Sequence, residues 1–120
     1  MAVTELVDRY CEVWNEPDAA RRKELLGAIW GENAAYTDPT THAPGAAALL
    51  EHIGRARERW PGAKVRRSST VDLHHGVARF AWDITKPDGA QAAHGIDIAF
   101  FSPDSAKITR IIGFFGPLAR

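Results

Sequence analysis

The sequence predicts an α+β fold, with three N-terminal helices packed on a strongly curved mixed β-sheet that encloses a pocket. Three observations carry this. Apolar residues recur at helical spacing in three separate stretches before Pro61-Gly62. Beyond that point, runs rich in β-branched and aromatic residues alternate, with turn residues between them. The order is helix, helix, strand, helix, then four strands. A mostly antiparallel meander of that kind can curl around the third helix and leave one end open.

The first helix is expected over residues 4–15. Thr4 is its candidate N-cap, and Leu6, Val7, Tyr10, Val13 and Trp14 form its apolar stripe. Asn15-Glu16-Pro17 ends it. Asp18 can cap a second helix from about Ala19 to Trp30, buried through Leu25, Leu26, Ile29 and Trp30. Ala34–Asp38 reads as a short strand before Pro39, and Thr40–Ala43 as a loop. Pro44-Gly45 precedes a third helix over 46–60, with Leu49, Leu50, Ile53, Ala56 and Trp60 at helical spacing. Lys64–Leu73 is an imperfect strand, and His74-His75-Gly76 is a hairpin turn. Val77–Lys86 is a clearer strand, with Ala78, Phe80, Trp82 and Ile84 on one face and Arg79, Asp83 and Thr85 on the other. Pro87-Asp88-Gly89 is a turn. Two long strands follow, 92–101 and 107–116, around the turn Ser102-Pro103-Asp104-Ser105.

A chain of 120 residues suits a single domain over 1–120 with a core of its own. Its 15 basic and 15 acidic residues cancel, which argues against a nucleic-acid or anionic-membrane partner. One cysteine, Cys11, excludes an internal disulfide and reads as a buried structural thiol. No signal peptide or membrane span is visible, so a cytoplasmic location is expected. Phosphate loops, dinucleotide fingerprints, nucleophile elbows and zinc spacings are absent from the sequence, and neither a metal nor an organic cofactor is expected.

Three polar residues stand out. Alternation places Ile96, Ile98 and Phe100 on one face of the long strand, and Gly95, Asp97, Ala99 and Phe101 on the other. A carboxylate among such neighbours must be solvated, paired, hydrogen-bonded or neutralised. Asp97 either pairs with Arg79 or Arg110, or faces a pocket. Tyr10 lies on the apolar stripe of the first helix, as core packing or as a site hydroxyl. Asp38, before Pro39, is either a turn-forming carboxylate or a site residue.

Arg9-Tyr10, Trp14-Asn15, Ala34-Ala35-Tyr36-Thr37-Asp38-Pro39, Pro44-Gly45-Ala46-Ala47, Gly95-Ile96-Asp97 and Ile111-Ile112-Gly113-Phe114-Phe115-Gly116 carry a resemblance over nearly the whole chain. It is to the cone-shaped domains related to nuclear transport factor 2, and within them to the polyketide-cyclase-like (SnoaL-like) and ketosteroid-isomerase-like branches. The resemblance implies a cone-shaped, cystatin-like roll and a homodimer formed through the outer face of the sheet. It also implies roles: Tyr10 and a protonated Asp97 as oxyanion donors, and Asp38 as general base. The third-helix position where that enzyme has a supporting tyrosine reads as Ile53.

Isomerising a β,γ-unsaturated ketone needs a base beside an acidic carbon and donors beside the carbonyl oxygen. The expected ligand is small and apolar, steroid-like or polyketide-like. Trp14, Phe80, Trp82, Phe101, Phe114 and Phe115 are the expected pocket walls. Other readings are an aldol-type cyclase using one aspartic acid as acid and base, an epoxide hydrolase with Arg79 in an Asp–Arg–Asp set, and a non-catalytic hydrophobic cup.

Overall fold

Leu6, Val7, Tyr10, Cys11 and Val13 share one side of helix α1 (Val3–Asn15), and all are buried. This helix begins at Val3 with Ala2 as its cap, and no side chain caps it; the expected Thr4 cap lies inside the first turn. Asp18 does cap helix α2 (Ala19–Gly27), accepting from the Arg21 amide at 3.2 Å. Helix α3 spans Ala46–Arg59 behind Gly45, whose φ of 84° a residue with a side chain would resist. The strands are β1 (Trp30–Asp38), β2 (Thr41–Pro44), β3 (Lys64–Arg67), β4 (Asp72–His74), β5 (Val77–Thr85), β6 (Gln91–Phe101) and β7 (Ile108–Phe115). The computed structural model describes residues 2–118.

The strands form one mixed sheet in the order β2-β1-β7-β6-β5-β3, with β4 also paired to β5. Only β1 and β7 run parallel among these pairs. Together with the three helices this makes the curved α+β roll that the sequence predicts.

Three further local expectations change, and one turn forms as expected. The second helix stops at Gly27, because Ile29 and Trp30 are recruited to the sheet. The Ile29 carbonyl accepts from the Ile108 amide at 2.7 Å, and Trp30 starts β1. The loop expected at 40–43 is largely strand β2, turned back on β1 with Asp38 opposite Thr41. The single strand expected over 64–73 is split, because Ser69 Oγ accepts the Ala81 amide at 2.8 Å where a ladder carbonyl would sit. The turn at His75-Gly76 forms with both φ positive, 48° and 75°.

Asn15 closes one edge of the sheet. Its amide donates to the Val65 carbonyl and accepts from the Val65 N–H, both at 2.7 Å, as a neighbouring strand would. The Arg67 guanidinium grips Asp8 of α1 at 2.8 and 3.1 Å. Helix α1 is thereby fixed across the concave face.

The register stacks that face in rows. The deepest row is Ala78, Ala99, Ile111 and Tyr36, on β5, β6, β7 and β1. The next is Phe80, Asp97 and Gly113. Trp82, Gly95 and Phe115 follow toward the rim.

Candidate active site

Asp97 sits in the middle of β6 and is 5% exposed. Neither expected arginine reaches it. Arg79 holds Asp72 at 2.9 Å, and Arg110 is exposed on β7 opposite Phe100 of the outer face. Among the described residues Asp97 has no cationic partner. Its one hydrogen bond comes from the Trp82 indole, Nε1 to Oδ1 at 2.9 Å. That contact exists because Gly95 has no side chain. A Cβ there would meet the Phe114 carbonyl and come within 2.6 Å of Trp82 Cζ2. Burial pushes the Asp97 carboxyl up to about 7; the indole bond pulls the other way, and the charge of Asp38 adds to the rise.

Gly113 separates Asp97 from Asp38. A Cβ at Gly113 would lie 2.9 Å from Asp97 Oδ1, 3.5 Å from Asp38 Cβ and 3.8 Å from the Tyr36 hydroxyl oxygen. The two acids therefore converge over a bare stretch of β7, with backbones roughly 10 Å apart at two strand spacings. Asp38 is buried and well bonded. Oδ1 accepts from the Thr40 amide at 2.8 Å, the Thr40 hydroxyl at 2.9 Å and the Thr41 amide at 3.1 Å. Oδ2 accepts from the Tyr36 hydroxyl at 2.6 Å and lies 3.6 Å from His52 Nε2. One oxygen of Asp38 thus closes the turn with Thr40 and Thr41, while the other faces Tyr36 and His52.

Tyr10, Asp38 and Asp97 line one cavity of about 400 Å³. The Tyr10 ring stacks on Trp30 at 6.2 Å and meets the edge of Trp14 at 6.3 Å. Burial raises its phenol well above the ordinary value, and the charge of Asp97 and then the Tyr36 phenol raise it further. The phenol therefore stays protonated.

Trp14, Phe80, Trp82 and Phe115 also line the cavity. Phe101 and Phe114 do not. Phe101 is buried in the hydrophobic core beyond a register shift in β6. Phe114 lies on the convex face at 56% exposed, since its neighbour Phe115 takes the inward position. Cys11 is buried as expected but faces the same cavity, and burial pushes its thiol up to about 12.

The model of the SnoaL-like domain matches residues 7–111. The chain belongs to the SnoaL-like domain family. A candidate isomerase of this family from Agrobacterium tumefaciens is 31% identical, with a TM-score of 0.89 over 98% of this chain and 100% of that one. Two more distant structures share the fold. A candidate ketosteroid isomerase from Kribbella flavida is 16% identical, with a TM-score of 0.64 over 98% of this chain and 80% of its own. A candidate polyketide cyclase from Sinorhizobium meliloti is 12% identical, with a TM-score of 0.70 over 91% and 93%. Further neighbours are described as NTF2-like or as having a cystatin-like fold. No curated protein matches the chain.

In this SnoaL-like domain the sequence reading missed His52, Thr40, Arg59 and Trp60, all of which line the cavity. The third-helix position it singled out, Ile53, is fully buried in the core, whereas His52 beside it faces the cavity. The signal was the spacing His52, Ala56, Arg59, a line one residue away from the Leu49–Ile53 stripe. Burial lowers the His52 pKa below its usual value. No helix among the described residues is long and apolar enough to cross a membrane.

Proposed function

We propose that this domain is an acid–base enzyme that moves a proton on a small apolar carbonyl compound through an enolate, as in a ketosteroid-type isomerase. One observation carries the reading: Asp97 is a buried carboxyl on an apolar cavity, held by an indole N–H and, among the described residues, by no cation. A carboxyl pushed up to about 7 keeps a large neutral fraction at neutral pH. With Oδ1 taking the Trp82 bond, a proton on Oδ2 can be donated to a substrate oxygen. Tyr10 supplies a second donor, and Asp38 lies across Gly113 on the proton-acceptor side. Removing one such donor typically costs 10²–10³ in rate, or roughly 3–4 kcal/mol. A homodimer through the convex face belongs to the same reading.

A second reading, an aldol-type cyclase with Asp97 as sole acid and base, is favoured by the four donors that already occupy Asp38. The epoxide-hydrolase set is not formed, because Arg79 is held by Asp72 on the outer face. The non-catalytic cup remains the outcome if no proton moves.

The test is a phenol that mimics a dienolate, titrated against pH in the parent and in Asp97→Asn. Tight phenolate-like binding that weakens at least tenfold on substitution supports the donor role. Equal affinity in both proteins at every pH removes it. A panel of β,γ-unsaturated ketones, including steroid enones, then reads turnover.

A further inference from the structure

Asp38 is crowded for a base. An ionised carboxylate offers about four lone-pair sites. Three donors converge on Oδ1, and Oδ2 takes the Tyr36 hydroxyl while facing an imidazole. Little of its acceptor capacity is left for the C–H proton of a ligand. The imidazole is placed differently. His52 projects from α3 into the cavity, with its side chain 17% exposed. Its ring lies against Tyr36 at 5.4 Å and meets Trp14 edge-on at 5.7 Å, so aromatic packing on two sides fixes its plane. Nε2 is the nitrogen turned toward Asp38.

We propose that His52 takes the proton from a carbon acid bound in this cavity, and that Asp38 is a positioning residue holding the imidazole through Nε2. The inference rests on the proton-transfer reading above and changes which residue carries the proton. The arrangement follows the general logic of a base oriented by a third group. Tyr36, donating to the same Oδ2, fixes the carboxylate in turn.

The groups facing His52 are Asp38 and Tyr36 of β1, the uncharged Trp14 of α1, and Arg55 and Arg59 of its own helix. Burial lowers its pKa most, Asp38 opposes that, and the two arginines lower it further. The ring is therefore neutral at pH 7 and free to accept. With the resident proton on Nε2 toward Asp38, Nδ1 is the accepting atom. The C–H bond next to the carbonyl breaks and its proton forms the Nδ1–H bond. The freed electron pair moves toward the carbonyl oxygen, which Tyr10 and Asp97 hold by hydrogen bonds. The imidazolium then returns the proton to the γ carbon and the conjugated ketone forms. The proton count closes, and no other reactant is consumed.

Two measurements test this. The first is ¹⁵N NMR of histidine-labelled protein. His52 should be in the Nε2–H tautomer, and Asp38→Asn should mix the tautomers; a proton fixed on Nδ1 in the parent overturns the proposal. The second uses cyclohex-3-en-1-one in deuterated water and follows exchange and conversion. His52→Gln should lose about 100-fold or more in rate, in the range of general-base contributions. The fall in rate on the acid side should vanish with it. Added imidazole should restore activity to His52→Ala, and Asp38→Asn should keep a measurable rate with a shifted acid limb. Parental rate and pH profile in His52→Gln, with Asp38→Asn inactive, sinks the inference and leaves the isomerase reading intact. A parent that neither binds phenolate nor exchanges a proton on any ketone tested sinks both, and it does so without reference to a His52 variant.

Discussion

Asp83 and Asp97 lie on adjacent strands of the same sheet, each 5% exposed, on opposite faces. Asp83 is a solved problem. The Arg66 guanidinium bonds both its oxygens at 3.0 and 3.2 Å, and the Thr85 hydroxyl adds a weaker contact at 3.3 Å. Arg66 comes from the solvent side, with 71% of its side chain exposed, so a cation reaches Asp83 at little desolvation cost. Asp97 points under the helices. There an arginine would itself be desolvated, and the fold supplies an indole N–H instead. Equal burial thus gives an anchored ion pair on one face and, among the described residues, an acid with no cationic partner on the other. Burial alone does not mark a candidate site; burial on a cavity without a counter-charge does.

The largest expected break in this contrast is Asp97→Asn, read as stability against pH. The folded carboxyl binds its proton more tightly than the unfolded chain, about 7 against 3.8. Between those values the folded state holds the extra proton, so stability falls as pH rises from about 4 to 7 and levels off above. Three units correspond to about 4 kcal/mol. Asn carries no such charge. Denaturant unfolding at pH 5 and pH 8 should show the parent losing a large part of this and Asp97→Asn losing far less. Identical pH slopes would mean that Asp97 is not the strained group.

Gly113→Ala comes next. The new Cβ would stand 2.9 Å from Asp97 Oδ1, which must swing away and weaken its indole bond. Overpacking of this size costs about 1–3 kcal/mol. Phenol affinity should fall roughly tenfold, with Asp83 and its face unaffected. Unchanged affinity would show that the two acids do not share the space above Gly113.

The contrast was only half visible in the sequence. Alternation alone separated Asp97 from Ile96 and Ile98, and Asp83 from Trp82, because a strand has only two faces. It could not say which face was concave, nor which arginine would arrive. The arginine that fixes Asp83, Arg66, comes from β3, and of the two expected near Asp97, Arg79 turned outward to Asp72 and Arg110 lies exposed on β7. Adjacent aromatics were ambiguous for the same reason: of Phe114 and Phe115 one had to face out, and periodicity did not choose. Helix α3 hid its cavity-lining residue because its buried stripe is wide. Leu49 and Ile53 pack the core, while His52, one step around, reaches the cavity. Strand β2 was lost because four residues after a turn carry too little pattern to outweigh Pro39 and Pro44.

Trp82→Phe should have a smaller effect. It removes the donor at 2.9 Å that holds the Asp97 value down, so the carboxyl should move above about 7. A hydrogen bond to a charged group is worth roughly 1.5–3 kcal/mol, so the shift should be one to two units. The pH midpoint of phenol binding reads it, and a midpoint that stays put or falls would show that the indole is packing rather than bonding. Part of any stability change will come from the lost edge contact with Phe115, at 6.0 Å between ring centroids.

The convex face supplies the smallest cost to the single protomer and the sharpest test of its separate role. Ile96 and Phe114 sit opposite each other in register, 44% and 56% exposed, with Ile98 and Ile112 paired in the next outward row. On the proposed reading a second copy covers this surface. Phe114→Lys removes a side chain that one protomer leaves more than half in water, so its intrinsic stability should change by no more than about 0.5 kcal/mol. Sedimentation at micromolar concentration should find the parent dimeric and the variant monomeric. Phenol affinity should fall only where the neighbouring Phe115, which lines the cavity, is displaced along with it. A monomeric parent would show that the apolar convex face has no partner of its own kind. A monomeric variant with unchanged phenol affinity would show that the two faces of the same strands work independently, the inner one through an unpaired acid and the outer one through contact area.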